Sequence, residues 1–267
     1  MSETAAVRRA ITAMAMDFTL EAWGAEQDAV DAVVEHASSD LRWADEVFST
    51  WREDSWISRL GRGEASIADA PPAVAEVLDL CERFREETGG AFDARTPHGR
   101  LDPTGIVKTW AMERARWRLE LMGASGWLWG CGGDVTVAGR GPADGRWRVG
   151  IADPRARAGA AAAPVRRIEL GGAATGRRGV TAVATSGESH RPGHVWDPRT
   201  GASARHYAQV SVAGTELIAC DAWATAILAG GQRTLRRADA AGLAALALRV
   251  VDGTVRATAT SAWADRA

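Results

Sequence analysis

Four segments of this 267-residue chain gather residue types suited to phosphate and metal chemistry. The first is Gly90-Ala91-Phe92-Asp93 followed by Leu101-Asp102-Pro103-Thr104-Gly105-Ile106-Val107-Lys108. It brings carboxylates and an ammonium to a loop and to the first turn of a helix, whose free N–H groups favour anions. Asp102 there has a second reading, as a cap on that helix. The second is Gly130-Cys131-Gly132-Gly133-Asp134, a glycine turn between strands and, taken alone, a plain hairpin turn. The third joins Thr185-Ser186-Gly187 to His194-Val195-Trp196-Asp197-Pro198-Arg199-Thr200-Gly201. Its Asp-Pro-Arg-Thr-Gly run is also a good turn, and its histidine is a surface residue or a base. In the fourth, Asp221 and Thr225 stand four apart on a helix and project from one face. A carboxylate with a hydroxyl suits Mg²⁺, which keeps waters and takes phosphate oxygens, better than it suits zinc. Taken alone, Asp221 reads first as a solvated or first-turn helix residue stabilised by the dipole. No Walker loop or dinucleotide-binding glycine fingerprint occurs in a strand-to-helix setting.

Composition sharpens one of these residues. Lys108 is the only lysine among 32 basic residues, asparagine is absent, and Trp is 12 against Tyr 1. Such a bias fits GC-rich coding. A lysine kept where arginine is the default marks a position that needs a compact ammonium on a flexible stem. With 46% hydrophobic and 25% charged residues the chain has the balance of a soluble globular protein. The net charge of −2 offers no bulk attraction to nucleic acid or anionic lipid. Cys81, Cys131 and Cys220 are odd in number, widely spaced and form no CxxC pair, which argues against a disulfide framework and a zinc site and fits a reducing compartment. The stretch Met1 to Met16 has no apolar signal-peptide core, and no run reaches the ~18 apolar residues of a membrane span. These features together predict a cytoplasmic protein.

Periodicity predicts the elements that position the four segments. Phe18, Leu20 and Ala22 alternate with polar residues as in a strand, and 25–51 carries apolar residues at three-and-four spacing as in a long amphipathic helix. A short turn of helix follows Ser55, a helix opens at Pro71-Pro72 and stops at Gly89, and another spans 107–122. Short strands are predicted at 127–129, 135–137, 147–151, 165–170, 180–184 and 209–213, with a polar loop at 185–206. Helices at 216–228 and 232–241 and strands at 246–251 and 254–258 complete the chain. Helices and strands mix without βαβ alternation, so the predicted class is α+β. With no repeat or linker, residues 1–267 read as a single domain.

The segments, in this order and from Met14 to about Val251, resemble the ApbE family, the FAD:protein FMN transferases. The matching pieces are Met14-Ala15-Met16, Phe48 to Arg52, Ser55 to Leu60, Gly90 to Asp93 and Asp102 to Ala111. They continue with Gly132-Gly133-Asp134, Trp147 to Pro154, Thr185 to Gly187, His194 to Gly201 and Asp221 to Thr225. The resemblance implies a compact two-lobed fold that binds FAD and Mg²⁺ and transfers FMN to a Thr or Ser hydroxyl of a target flavoprotein, releasing AMP. It implies that Asp221 and Thr225, with a backbone carbonyl of Gly105, ligate Mg²⁺, and that His194 is the general base or a phosphate-binding residue. By the same resemblance Met14, Ala91, Phe92, Asp93, Asp102, Lys108, Thr185, Ser186, Gly187 and Trp196 contact FAD. A flavin-binding protein without transfer activity and an FAD pyrophosphatase are the alternative readings on this fold. Thr104 and Thr109 stand where the family has glycines, and Gly61 stands where its members commonly have Asn.

Overall fold

The computed structural model describes residues 6–156, 163–171, 180–187 and 195–264. The chain begins with a hairpin of β1 (Val7–Ala13) and β2 (Met16–Trp23), in which Ala13 faces Met16 and Val7 faces Ala22. Sequence periodicity marks only β2. The turn between the strands, Met14-Ala15, holds both residues at positive φ, 52° and 57°, yet contains neither Gly nor Asn, the usual hairpin signals. α1 (Gln27–Phe48) buries the stripe Val30, Ala37, Leu41, Ala44, Val47 and Phe48, as its spacing predicts. α2 (Trp56–Gly61) is capped by the Ser55 hydroxyl, which accepts the Ser58 N–H at 3.1 Å. α3 (Pro72–Thr88) opens on proline and ends on Gly89 at φ 66°.

α4 (Thr104–Glu120) starts three residues earlier than its apolar pattern suggests. Asp102 closes its head: Oδ1 accepts the Thr104 N–H at 3.1 Å and the Thr104 hydroxyl at 2.6 Å. This draws Gly105 and Lys108 into the first turns of the helix. A second hairpin, β3 (Gly126–Cys131) and β4 (Asp134–Gly139), turns on Gly132 at φ 60°. After it come α5 (Pro142–Gly145), β5 (Trp147–Ile151), β6 (Arg166–Leu170), β7 (Ala182–Gly187), β8 (Gln209–Gly214) and α6 (Leu217–Ala240). The described chain closes with β9 (Ala244–Val251), β10 (Thr254–Ala259) and α7 (Ser261–Ala264). The predicted loop from Thr185 begins later than expected, because β7 runs on through Gly187 in register with Gln209 of β8.

Eight strands form an antiparallel sheet in the order β1-β2-β3-β4-β7-β8-β9-β10, and β5 and β6 pair separately. Helices and antiparallel sheets thus mix as the α+β expectation states. Alternation along the strands gives the large sheet two apolar faces. Ala182, Ala184, Val210, Val212, Ala245 and Ala247 pack with the helices, whereas Val183, Ala213, Leu246 and Leu248 pack with β5, β6 and Trp263. The small residues on the first face let α6 lie close against β7 and β8. No described helix is long and apolar enough to cross a membrane.

The two helices predicted after residue 216 are the halves of α6, joined through a break at Gly231 (φ 64°, ψ −147°). A Cβ there would lie 2.6 Å from the His206 ring, so space and backbone both demand glycine. Beyond the break, Arg237 donates to the carbonyls of Glu87 at 2.5 Å and Glu86 at 3.2 Å, which end α3.

An L-residue in the left-handed region costs about 1–2 kcal/mol, whereas glycine costs roughly 0.5–1 kcal/mol in lost chain freedom. Ala15→Gly is therefore expected to stabilise the first hairpin by up to about 1 kcal/mol, raising Tm by about 2–4 °C per kcal/mol in a protein of this size. A lowered Tm in thermal denaturation would show that the Ala15 methyl makes contacts worth more than the turn strain.

Candidate functional site

α4, β4, β7 and α6 converge on the ammonium of Lys108. Lys108 Nζ pairs closely with Asp134 Oδ2, at the start of β4, and lies 3.9 Å from Asp221 Oδ2 on α6. Asp134 is fully buried, and its Oδ1 accepts the backbone N–H of Thr185 on β7 at 2.9 Å. The Lys108 side chain keeps 24% of its surface exposed, against 7% for Asp221.

Asp221 Oδ2 also sits 3.0 Å from the Thr109 hydroxyl, which in turn is 3.0 Å from the Ile106 carbonyl. That hydroxyl has one proton for two acceptors. When Asp221 is ionised, Thr109 donates to it; when Asp221 is protonated, it donates to Thr109, whose proton then goes to Ile106. One helical turn on, the hydroxyls of Thr225 and Ser186 are 3.0 Å apart. Side chains alternate across β7, so Ser186 faces the helices while Thr185 faces the other way and meets the Ser211 hydroxyl at 2.8 Å. Thr185 joins the cluster through its backbone N–H alone.

The cluster encloses two carboxylates and one ammonium. Burial pushes the Asp221 carboxyl up to about 7; Lys108 and the Thr109 hydrogen bond oppose that rise and Asp134 adds to it. For Lys108, burial alone favours the neutral amine, but Asp221 and Asp134 together more than reverse it and hold the group above the usual ammonium range. Nearby Cys131 is pushed up to about 12, chiefly by burial, and stays a thiol at neutral pH.

Among the described residues no group of three or more His, Cys, Asp or Glu could hold a metal. The hard oxygen donors on this face of α6 are the Asp221 carboxylate and, one turn on, the Thr225 hydroxyl, which meets the Ser186 hydroxyl. Two acids against one ammonium leave an excess negative charge in a buried place, which an added cation relieves. These residues fit Mg²⁺, which completes its shell with water and phosphate oxygens.

The other residues singled out by the sequence are placed around this cluster. Gly105 lies in the first turn of α4, where a Cβ would come 2.9 Å from Phe92 Cε2, so glycine lets that ring pack against the helix. Ala91 and Phe92 are buried; the Phe92 N–H donates to Thr88 Oγ1 at 3.0 Å and its ring meets Phe84 edge-on. Asp93 accepts the Arg95 N–H at 2.8 Å, and Asp102 is occupied at the head of α4. Met14 is half-buried in its strained turn, and Trp196, also half-buried, bridges to Ser203. Asp197 holds the Arg199 guanidinium at 2.7 and 2.8 Å, as a turn residue should. Gly187 ends β7, and His194 lies outside the described residues. At Gly61 a Cβ would meet only Leu101, 3.9 Å away, so packing does not exclude a larger side chain. A cavity of about 270 Å³ beside it is lined by Leu60, Cys81, Asp93, Ala94 and Leu101; none of Lys108, Asp134 and Asp221 lines it.

Sequence reasoning assigns Asp134 no role beyond the hairpin turn and does not register Ser211. The available signal was Lys108 itself, because an enclosed lone lysine needs carboxylates to pair with.

The ApbE family pattern matches residues 14–98 and 94–247 of the chain. No curated protein matches it. Among solved structures, the apo form of the flavinyl transferase ApbE from Pseudomonas stutzeri superposes with a TM-score of 0.80 at 21% identity, covering 100% of this chain and 99% of that one. A mutant of the Vibrio cholerae flavin transferase ApbE gives 0.78 at 18%, covering 98% and 99%. The ApbE protein of Thermotoga maritima gives 0.77 at 19%, again covering 98% and 99%. At these identities the likeness is one of fold.

Without added metal, Asp221 binds its proton more tightly folded than unfolded, where a carboxyl titrates near 3.9. From about pH 4 to about pH 7 the folded state holds the extra proton, so this group's contribution to stability declines as pH rises through that window. Asp221→Asn is expected to remove the decline. Urea midpoints at the two ends of the window test this, and an unchanged pH slope in the variant would place the titration elsewhere.

Proposed function

As this chain belongs to the ApbE family, we propose that it transfers the FMN half of FAD, with Mg²⁺ bound, to a Thr or Ser hydroxyl of an acceptor flavoprotein and releases AMP. The observation that carries this reading is the meeting of Lys108, Asp134 and Asp221 at one junction, with Thr225 one helical turn beyond Asp221 on α6. It places an ammonium and hard oxygen donors where a pyrophosphate, with about two negative charges, needs neutralising.

In this reading Asp221, Thr225 and the Gly105 carbonyl hold Mg²⁺, which when bound supplies positive charge to the pyrophosphate oxygens. Lys108 gives a further compact cation to the phosphates. Met14, the Ala91-Phe92-Asp93 turn, Asp102, Thr185-Ser186-Gly187 and Trp196 bind and orient the flavin nucleotide. His194 takes the proton of the acceptor hydroxyl at a ring nitrogen as that oxygen bonds to the FMN phosphorus. The bond from that phosphorus to the bridging oxygen breaks, and AMP leaves with the electron pair. Holding the hydroxyl in line while excluding water distinguishes transfer from hydrolysis.

The test is to incubate the protein with FAD, Mg²⁺ and a candidate acceptor domain while following AMP, FMN and acceptor mass. An acceptor heavier by one FMN unit is the expected result. Free FMN with AMP would establish a pyrophosphatase instead, and intact FAD throughout would leave only a binding protein. His194→Ala is expected to lower kcat by about 10²–10⁴-fold with FAD affinity retained. Asp221→Ala is expected to abolish Mg²⁺-dependent turnover, and undiminished turnover would refute its role as a ligand.

A further inference from the structure

The ammonium of Lys108 is shared unequally. It pairs closely with Asp134 and stands 3.9 Å from Asp221, although both acids are buried. Asp134 is fixed from behind by the Thr185 N–H at 2.9 Å. That bond depends on close passage of the β3–β4 turn over β7: a Cβ on Gly133 would lie 2.9 Å from the Thr185 Cβ. Asp134 therefore cannot follow the ammonium toward Asp221, and instead holds it at its own side of the cluster.

This matters because an ammonium and a divalent cation cannot both pair with one carboxylate in a buried site without strong repulsion. We propose that Asp134 is a positioning residue that keeps Lys108 off Asp221, leaving that carboxylate open to a divalent cation while the ammonium remains a fixed positive charge beside it. The inference rests on the cation placement at Asp221 in the preceding section. It also accounts for the identity of residue 108. Arginine, the default base in this chain, has a planar fork that bridges two carboxylates and would occupy Asp221. A lysine is a point charge that one carboxylate can hold.

The test is binding of Mn²⁺ alone to the FAD-free protein, with free Mn²⁺ read by electron paramagnetic resonance. Asp134→Asn keeps an oxygen for the Thr185 N–H but releases the ammonium to Asp221, and is expected to weaken Mn²⁺ binding by about tenfold or more. Lys108→Met in the Asp134→Asn background is expected to recover the affinity, which a merely structural role for Asp134 would not allow. Lys108→Arg is expected to weaken binding as Asp134→Asn does. Wild-type affinity in Asp134→Asn, or a loss that the double variant does not recover, would overturn the proposal. If Asp134→Asn fails to fold, Lys108→Arg alone decides: weakened Mn²⁺ binding supports the proposal, and wild-type binding overturns it. Equal binding by wild type and Asp221→Ala would instead overturn the cation placement itself.

Discussion

Enclosing one ammonium is the constraint that orders this molecule. A buried charge without a partner costs far more than any one packing contact returns, so the elements that carry the partners must arrive together. Lys108 fixes α4 to β4 through Asp134 and brings α4 near α6 through Asp221. Asp134 extends the tie to β7 through the Thr185 N–H. Close approach of α6 is possible because the sheet presents Ala182, Ala184, Ala245 and Ala247 to it, while the helix offers Ala222, Ala226 and Ala229. The alanine content of the chain is thus spent partly on distance: bulkier side chains would hold the Asp221–Thr225 turn away from Lys108 and Ser186.

Two departures from the family pattern take on a definite role in this setting. Thr104 and Thr109 stand where glycines are usual, and each hydroxyl finds a carboxylate. Thr104 meets Asp102 at 2.6 Å and Thr109 meets Asp221 at 3.0 Å. Glycine in either place would remove that hydroxyl donor, leaving Asp102 the backbone N–H of residue 104 and Asp221 the Lys108 ammonium. The backbone freedom given up at the head of α4 is exchanged for two hydrogen bonds that set the orientation of acids on either side of it.

Much of the architecture was legible where the physics is local. The stripe of α1, the proline and glycine that bound α3, and the alternating runs of β3 to β10 follow from periodicity and turn chemistry, and the break in α6 was visible as Gly230-Gly231. The first strand was hidden because Met14-Ala15 adopts a glycine-like turn without glycine, and α5 and α7 are single turns too short to carry a period. In the site, Asp221, Thr225 and Lys108 stood out by spacing and by rarity. Asp134, which shares their electrostatics, did not, since it reaches the cluster from 26 positions away from Lys108 in the chain. Only the sheet order and the helix docking bring such separations to contact.

The break at Gly231 changes how α6 behaves mechanically. A continuous helix is a rod that conveys a push at one end to the other. Here it is two beams with a joint between them. The first is bolted to the sheet by its small residues, and the second is moored by Arg237 to the carbonyls of Glu86 and Glu87. Asp221 and Thr225 belong to the first beam, on the other side of the joint from that mooring, so the anchoring of α3 and the spacing of carboxylate and hydroxyl are set by separate pieces of one helix.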